Sequence, residues 1–210
     1  MSPGPTFERV YQALKQRLLE GAFAPGAHLE PAAIGAELTA SITPVRDALH
    51  RLVGERLVES PRHNGFVVPS PTEAQLRDLY GWNGSLVVLA LRRSVARESR
   101  RPPPLPPSRR MPGEGATMRA PCLFHEIVRA AGSAEHRDAI ERMNDRLACV
   151  RRVEAQVLAG LAEEEGSLTR AWRESDLRML AGLVRAYHRR RQRQAPELLE
   201  ALRTTSTSLG

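Results

Sequence analysis

The 210 residues predict a mainly α-helical chain in two parts, and three observations carry that reading. Apolar residues recur at helical spacing through most of the sequence. Strand signals are confined to one short stretch around the Asn64-Gly65 pair. The prolines of Pro69-Ser70-Pro71 then divide the chain into residues 1–69, three helices plus a β-hairpin, and residues 70–210, an all-α bundle.

In residues 7–20 the positions Phe7, Val10, Tyr11, Leu14 and Leu18 form one apolar stripe, and Gly21 ends the helix. A Pro25-Gly26 turn follows, and Pro31 suits the first turn of a second helix that runs to about Leu38 with Ile34 and Leu38 facing inward. Thr39 and Ala40 form a tight turn into the third helix. Either Ser41 or Thr43 can cap it, and Pro44 is tolerated in its first turn. At helical spacing Val45, Ala48, Leu49, Leu52 and Val53 fall on one side, and Thr43, Arg46, Asp47, His50 and Arg51 on the other. Ile42 sits at the edge of the apolar side. Two helices joined by a short turn, the second with an apolar back and a basic front, make a helix-turn-helix.

Two β-prone runs come next, Leu57-Val58 and Phe66-Val67-Val68, with Arg62 and His63 beside the Asn64-Gly65 turn. Such a pair reads as a hairpin. A hairpin directly after the third helix predicts a winged helix-turn-helix.

Thr72 and Gln75 open a new helix as a capping box. Its stripe of Leu76, Leu79, Tyr80, Val87, Leu91 and Val95 is weakened by Gly81 and Gly84. The segment 101–113, RPPPLPPSRRMPG, removes backbone donors and fixes φ, so it reads as linker. Helical patterns return at residues 123–131, 140–161 and 168–187, with a short one at 198–202.

Composition excludes several classes. No apolar run reaches the roughly 18 residues of a membrane span, and the N-terminus lacks the features of a signal peptide, so a cytoplasmic protein without membrane partners is expected. The net charge of +7 comes almost wholly from arginine, Lys15 being the only lysine. Where the arginines sit therefore matters more than their number. Cys122 and Cys149 have no metal-type spacing and read as inert buried thiols. The chain has no H-E-x-x-H, P-loop or G-x-S-x-G, so residues such as His125, Glu126, His136 and His188 do not make the case for an enzyme.

The stretch running VYQALKQRLLEGAFAPGAHL, AAIGAEL and SITPVRDALHRLVGERLVESPRHNGFVV, about residues 8–68, resembles the winged-helix domain of GntR-family transcription regulators. The resemblance implies operator DNA as partner and contacts at Ser41, Thr43, Arg46 and Arg51 on the third helix, and at His63 and Gly65 on the wing. Arg46 would read base edges or clamp phosphate, and Ser41 and Thr43 would bond phosphate oxygens. The family usually carries arginine where this chain has Ile42, which cannot donate a hydrogen bond. If that contact was to a base, its loss alters operator choice by about 1–3 kcal/mol.

LFHEIVRAAGS, residues 123–133, is similar to part of the FCD domain of the FadR-type subfamily. That likeness implies a homodimer on a short inverted repeat, a repressor released by a small, carboxylate-type effector, and in many members a divalent metal. Only His125 matches the metal pattern, with Pro121 at the aspartate position, Ser175-Asp176 at the next and Leu198 near the last. Such sites need three or more ligands. His125 and Asp176 are thus candidates in an incomplete set, and no cofactor is expected. A ligand-independent, architectural DNA binder is the alternative. The run YHRRRQRQ, residues 187–194, reads as a solvated or partner-contacting helix face.

Overall fold

The apolar stripe of the first helix becomes the floor of the N-terminal core. On α1 (Pro5–Leu19), Val10, Tyr11, Leu14 and Leu18 are buried against Ile34 of α2 (Pro31–Glu37) and against Val45, Ala48, Leu49 and Leu52 of α3 (Ile42–Gly54). The computed structural model describes residues 5–61, 65–96 and 119–207, so the proline-rich segment 101–113 and the residues Arg62, His63 and Asn64 lie outside the described residues. Two compact units result: one holds the described residues up to Thr72 and those from Leu202 onward, the other Glu73–Ala201.

The turn between α2 and α3 is tight for a local reason. A Cβ on Gly35 would stand 2.8 Å from the Ala40 carbonyl oxygen, and Thr39 takes a positive φ of 50°. Only glycine at position 35 lets the chain fold back that closely.

The expected β-hairpin wing is not formed. Among the described residues there is no strand, only isolated antiparallel bridges of Val67 with Glu59 and with His28. Glu59 and Val67 exchange both backbone hydrogen bonds at 2.9 Å. In that register the next hydrogen-bonded rungs would pair Leu57 with Pro69 and Pro61 with Gly65, and proline has no N–H to donate. The ladder stops at one rung on either side. Phe66 and Val68 nevertheless face inward and close the core beside Leu57 and Val58.

The second unit comprises α4 (Glu73–Ala96), α5 (Arg119–Ala130), α6 (Ala134–Val157), α7 (Leu161–Arg173), α8 (Leu177–Arg193) and the start of α9 (Ala195–Thr207). Its core joins Val87 and Leu91 of α4, Phe124 and Ile127 of α5, Ile140 of α6, Leu168 and Trp172 of α7, and Leu180, Val184 and Tyr187 of α8. Two helical patterns that run on in the sequence are broken by left-handed residues. Gly160 (φ 68°) separates α6 from α7, and Ser175 (φ 58°) separates α7 from α8. Asp176 then caps α8, its Oδ1 accepting the Met179 N–H at 2.9 Å.

Gly84 gains a purpose from this packing. α4 lies along α8 so closely that a Cβ on Gly84 would meet His188 Cγ at 2.8 Å, and one on Gly81 would meet Gln192 Nε2 at 2.8 Å. Gly84, which faces the His188 ring and its Cβ, is the one that permits the close helix contact, since the Gln192 amide opposite Gly81 can swing aside.

Candidate nucleic-acid interface

α3 is anchored by its back and open at its front. Val45, Ala48, Leu49 and Leu52 are fully buried, while Ser41, Ile42, Thr43, Arg46, Asp47 and His50 are exposed. Ser41 is the N-cap in extended conformation, but its hydroxyl makes no capping bond. Both hydroxyls at the helix start are thus presented with the unsatisfied N–H groups of the first turn. Ile42 is 51% exposed, so the structure turns it outward beside Ser41 and Thr43 rather than toward the core.

Arg9 holds the helix entry. Its Nη1 donates to the Leu38 carbonyl at 2.8 Å and its Nη2 to the Thr39 carbonyl at 3.3 Å, fixing the turn from α1. Behind α3, Tyr11 Oη donates to Glu55 Oε1 at 2.6 Å and Lys15 Nζ donates to Glu55 Oε2 at 2.9 Å. Burial would raise the Glu55 carboxyl, but the bonds from Tyr11 and Lys15 outweigh it and hold it below the usual range. Tyr11 shifts the other way, raised by burial and by Glu55.

The sequence-derived contacts separate into groups. Ser41, Thr43 and Arg46 share the outward face of α3. Arg51 does not join them. Its guanidinium lies 3.8 Å from the centre of the Tyr11 ring, with Glu8 at 3.3 Å and Glu55 at 3.6 Å. Gly65 is exposed at a positive φ of 66° with open space around it, and His63 lies outside the described residues.

The candidate metal ligands are engaged elsewhere. His125 is half-buried on α5 with Nε2 2.9 Å from Glu141 Oε1, and Asp176 caps α8. Among the described residues no three His, Cys, Asp or Glu side chains gather as a metal site. These residues do not fit the divalent ion that the FCD resemblance implies.

The polar groups of the second unit instead face its interior. Arg191 is 1% exposed, and it donates to Glu154 at 2.9 Å through Nε and lies 3.0 Å from Glu164 through Nη2. Tyr80 donates to Glu154 at 2.7 Å. Beside them Arg151 Nη1 donates to Asn144 Oδ1 at 2.9 Å, and His188 sits between the Val184 carbonyl, 2.7 Å from Nδ1, and the Asn83 side-chain amide, 2.9 Å from Nε2. Burial drives the His188 imidazole down to about 3, and Arg151 and Arg191 add to the shift against the opposing Val184 bond. The run expected as a solvated face therefore holds three buried side chains, Tyr187, His188 and Arg191. Cys122, expected to be buried, is exposed; Cys149 is half-buried and its thiol is raised by burial.

Sequence reasoning missed Arg9, the Tyr11–Glu55–Lys15 cluster and the inward turn of Arg191. The first two join residues 29 or more positions apart, and such pairs leave no local periodic mark. Arg191 lies seven residues after Val184, two turns along the same face, and that spacing was a usable signal.

Residues 6–68 match the model of the family described as bacterial regulatory proteins, gntR family, a family of regulators rather than enzymes. The chain is 29% identical over 87 residues to the HTH-type transcriptional repressor GlaR of Escherichia coli K12, a match covering 41% of this chain and 40% of that relative. Among solved structures it is similar to E. coli McbR/YncC, with a TM-score of 0.67 at 19% identity over 93% of this chain and 99% of that one. A protein from Rhodococcus sp. RHA1 described as a GntR transcriptional regulator gives a TM-score of 0.71 at 16% identity, over 91% and 97% of the two chains. These likenesses show the fold across both units. Among the described residues no helix is long and apolar enough to cross a membrane.

Proposed function

Residues 6–68 carry the GntR-family regulator fold, and from that premise we propose that the chain is a cytoplasmic transcription regulator that binds operator DNA as a homodimer on a short inverted repeat. The observation that carries this reading is the outward face of α3, where Ser41, Ile42, Thr43 and Arg46 stand exposed on a helix whose other side is fully buried. A rigidly backed helix with hydroxyls and arginine at its start suits the major groove. Thr43 and Ser41 bond phosphate, Arg46 reaches a base edge or phosphate, and Ile42 offers only apolar surface, which matches a thymine methyl. Gly65 and His63 supply contacts beside the helix. Arg51 acts indirectly, holding α3 on α1 through Tyr11 and Glu8.

The second unit dimerises the chain and, as an FCD-type domain, answers a small carboxylate effector. Repression relieved by that effector agrees in sign with the E. coli relative named a transcriptional repressor. A second reading, a ligand-independent architectural regulator, draws on the engagement of His125 with Glu141 and of Asp176 with the α8 backbone. A ligand screen by melting temperature separates the two, since any ligand bound only by the folded state raises it.

The deciding experiment is fluorescence-anisotropy binding to DNA from upstream of the chain's own gene and to random DNA of equal length, at two salt concentrations. A preference that survives the higher salt supports a specific regulator. Equal, salt-fragile binding to both means that only phosphate is being read, and it overturns the proposal for that operator.

A further inference from the structure

The open side of α3 carries one residue that DNA should repel. Val45, Ala48, Leu49 and Leu52 set the buried direction of the helix, and at about 100° per residue the opposite direction is held by Thr43, Asp47 and His50. All three are exposed, with Asp47 one turn beyond Thr43. Its carboxylate makes no ion pair and no hydrogen bond among the described residues. The basic neighbours within one turn are engaged elsewhere. Arg51, four residues on, is placed to pair with Asp47 along the helix, but its guanidinium lies over the Tyr11 ring at 3.8 Å and beside Glu8 and Glu55. His50, three residues on, sets its ring edge-on to Phe66, 5.0 Å between centres at 75°. Asp47 is also the sixth residue of α3, beyond the first turn, so the positive end of the helix dipole does not account for it.

We infer that Asp47 reads a cytosine of the operator, its carboxylate accepting a hydrogen bond from the 4-amino group in the major groove. An ionised carboxylate has acceptors only. Phosphate oxygens repel it, and so do the O6 and N7 of guanine and the O4 of thymine. Only two groups in the major groove can donate to it, the amino groups of cytosine and adenine. Adenine sets its amino group beside its own N7 acceptor, which suits an amide, whereas cytosine presents the amino group without one, which suits a carboxylate. Arg46, the preceding residue, makes the opposite demand, since its donors match guanine O6 and N7. Asp47 therefore adds discrimination in two ways, by pairing with one base and by repelling others.

This rests on the proposed DNA-binding reading and names one of its specificity determinants. The test is anisotropy binding of the full chain, of Asp47→Ala and of Asp47→Asn to an operator that the wild type selects from random duplexes. The same three proteins are measured on that operator with each base pair replaced in turn, and on random DNA of equal length. Asp47 is exposed, so its substitution spares the core, and unchanged melting curves check it. In the wild type, changing one C:G pair per half-site to T:A is expected to weaken binding about tenfold. In Asp47→Ala that one preference disappears while the others persist, and affinity for random DNA rises, because a charge that phosphate repels has gone. Asp47→Asn moves the preference at the same pair toward adenine, which an amide can pair twice. A base profile unchanged in Asp47→Ala overturns the inference and leaves the regulator reading standing. A uniform loss on operator and random DNA alike means that Asp47 supports α3 without reading a base, and it overturns the inference as well. A wild-type chain that selects no operator overturns both the inference and the reading on which it rests.

Discussion

α3 and α8 are both arginine-bearing amphipathic helices, yet they place their polar side chains in opposite directions. On α3 the buried side is wholly apolar and Arg46 stands in solvent. On α8 the buried side includes Tyr187, His188 and Arg191, and Arg191 is held by Glu154 and Glu164. An arginine on an open face contributes little to folding and stays available to a partner. One inside a bundle is fixed by its counter-ions, and its removal leaves a charge stranded in low dielectric. The two units therefore separate recognition from stability, and substitutions should divide along the same line.

The largest effect is expected from Arg191→Met, which leaves Glu154 buried without its cation. Loss of one partner from such a pair costs about 3–5 kcal/mol. Denaturant unfolding followed by helical circular dichroism should show the bundle transition move by that much, with part of the loss recovered when Glu154→Gln is added. If Arg191→Met unfolds like the wild type, the inward network has no structural weight and the contrast between the helices fails.

pH sharpens the same comparison. The folded His188 imidazole resists a proton until about pH 3, whereas the unfolded one takes it near 6.5. Between those values the unfolded state binds more protons, so stability falls as pH falls. The slope approaches about 1.4 kcal/mol per pH unit, and the loss integrates to about 2.3 kcal/mol from pH 6.5 to 4.5. Glu55 in the first unit has a lowered carboxyl, so its contribution persists to lower pH and is lost only as the folded group takes up its proton. Unfolding midpoints at half-unit steps should show the bundle weaken first, and His188→Gln should flatten its slope.

The apolar stripes of α1 and α3 were legible because each is amphipathic with a clean 3.6-residue period. The turn was legible through Thr39 and Ala40 only as a short spacer, and the close approach at Gly35 was not. Nor was its clamp by Arg9, because that bond spans 29 residues. Asn64-Gly65 and two β-prone runs predict a hairpin, but Pro61 and Pro69 in the same stretch have no N–H to extend its ladder. In the bundle, YHRRRQRQ looked like a solvated face by composition. Its positions 187, 188 and 191 nevertheless continue the side begun by Leu180 and Val184, so burial followed position on the helix rather than residue type.

Arg46 and Arg51 test the division within the first unit. Arg46→Ala should leave thermal stability within about 0.5 kcal/mol of wild type, as exposed substitutions do, and remove specific operator binding by about 1–3 kcal/mol per lost base contact. Arg51→Ala should behave differently: removing its contact with Tyr11 loses about 1 kcal/mol of stability and weakens DNA binding mainly through a looser α3. Wild-type operator affinity in Arg46→Ala would sink the recognition-helix assignment, and equal stability losses in the two variants would erase the distinction between them.

The smallest effect belongs to Ile42, whose exposed side chain has no hydrogen-bonding atom to offer and so can read only a methyl group. Once an operator sequence has been selected, replacing each thymine in turn by uracil removes a methyl while leaving every hydrogen-bonding group in place. One position per half-site should lose about 0.8 kcal/mol, the value of a buried methyl-sized group, which is about fourfold in Kd. That loss should vanish in Ile42→Ala, because the variant no longer reaches the methyl, and Ile42→Arg should move the preference at the same position toward guanine. Uniform indifference to uracil would mean that Ile42 faces backbone or solvent in the complex, and that α3 reads its operator through Arg46 without help from the residue beside its cap.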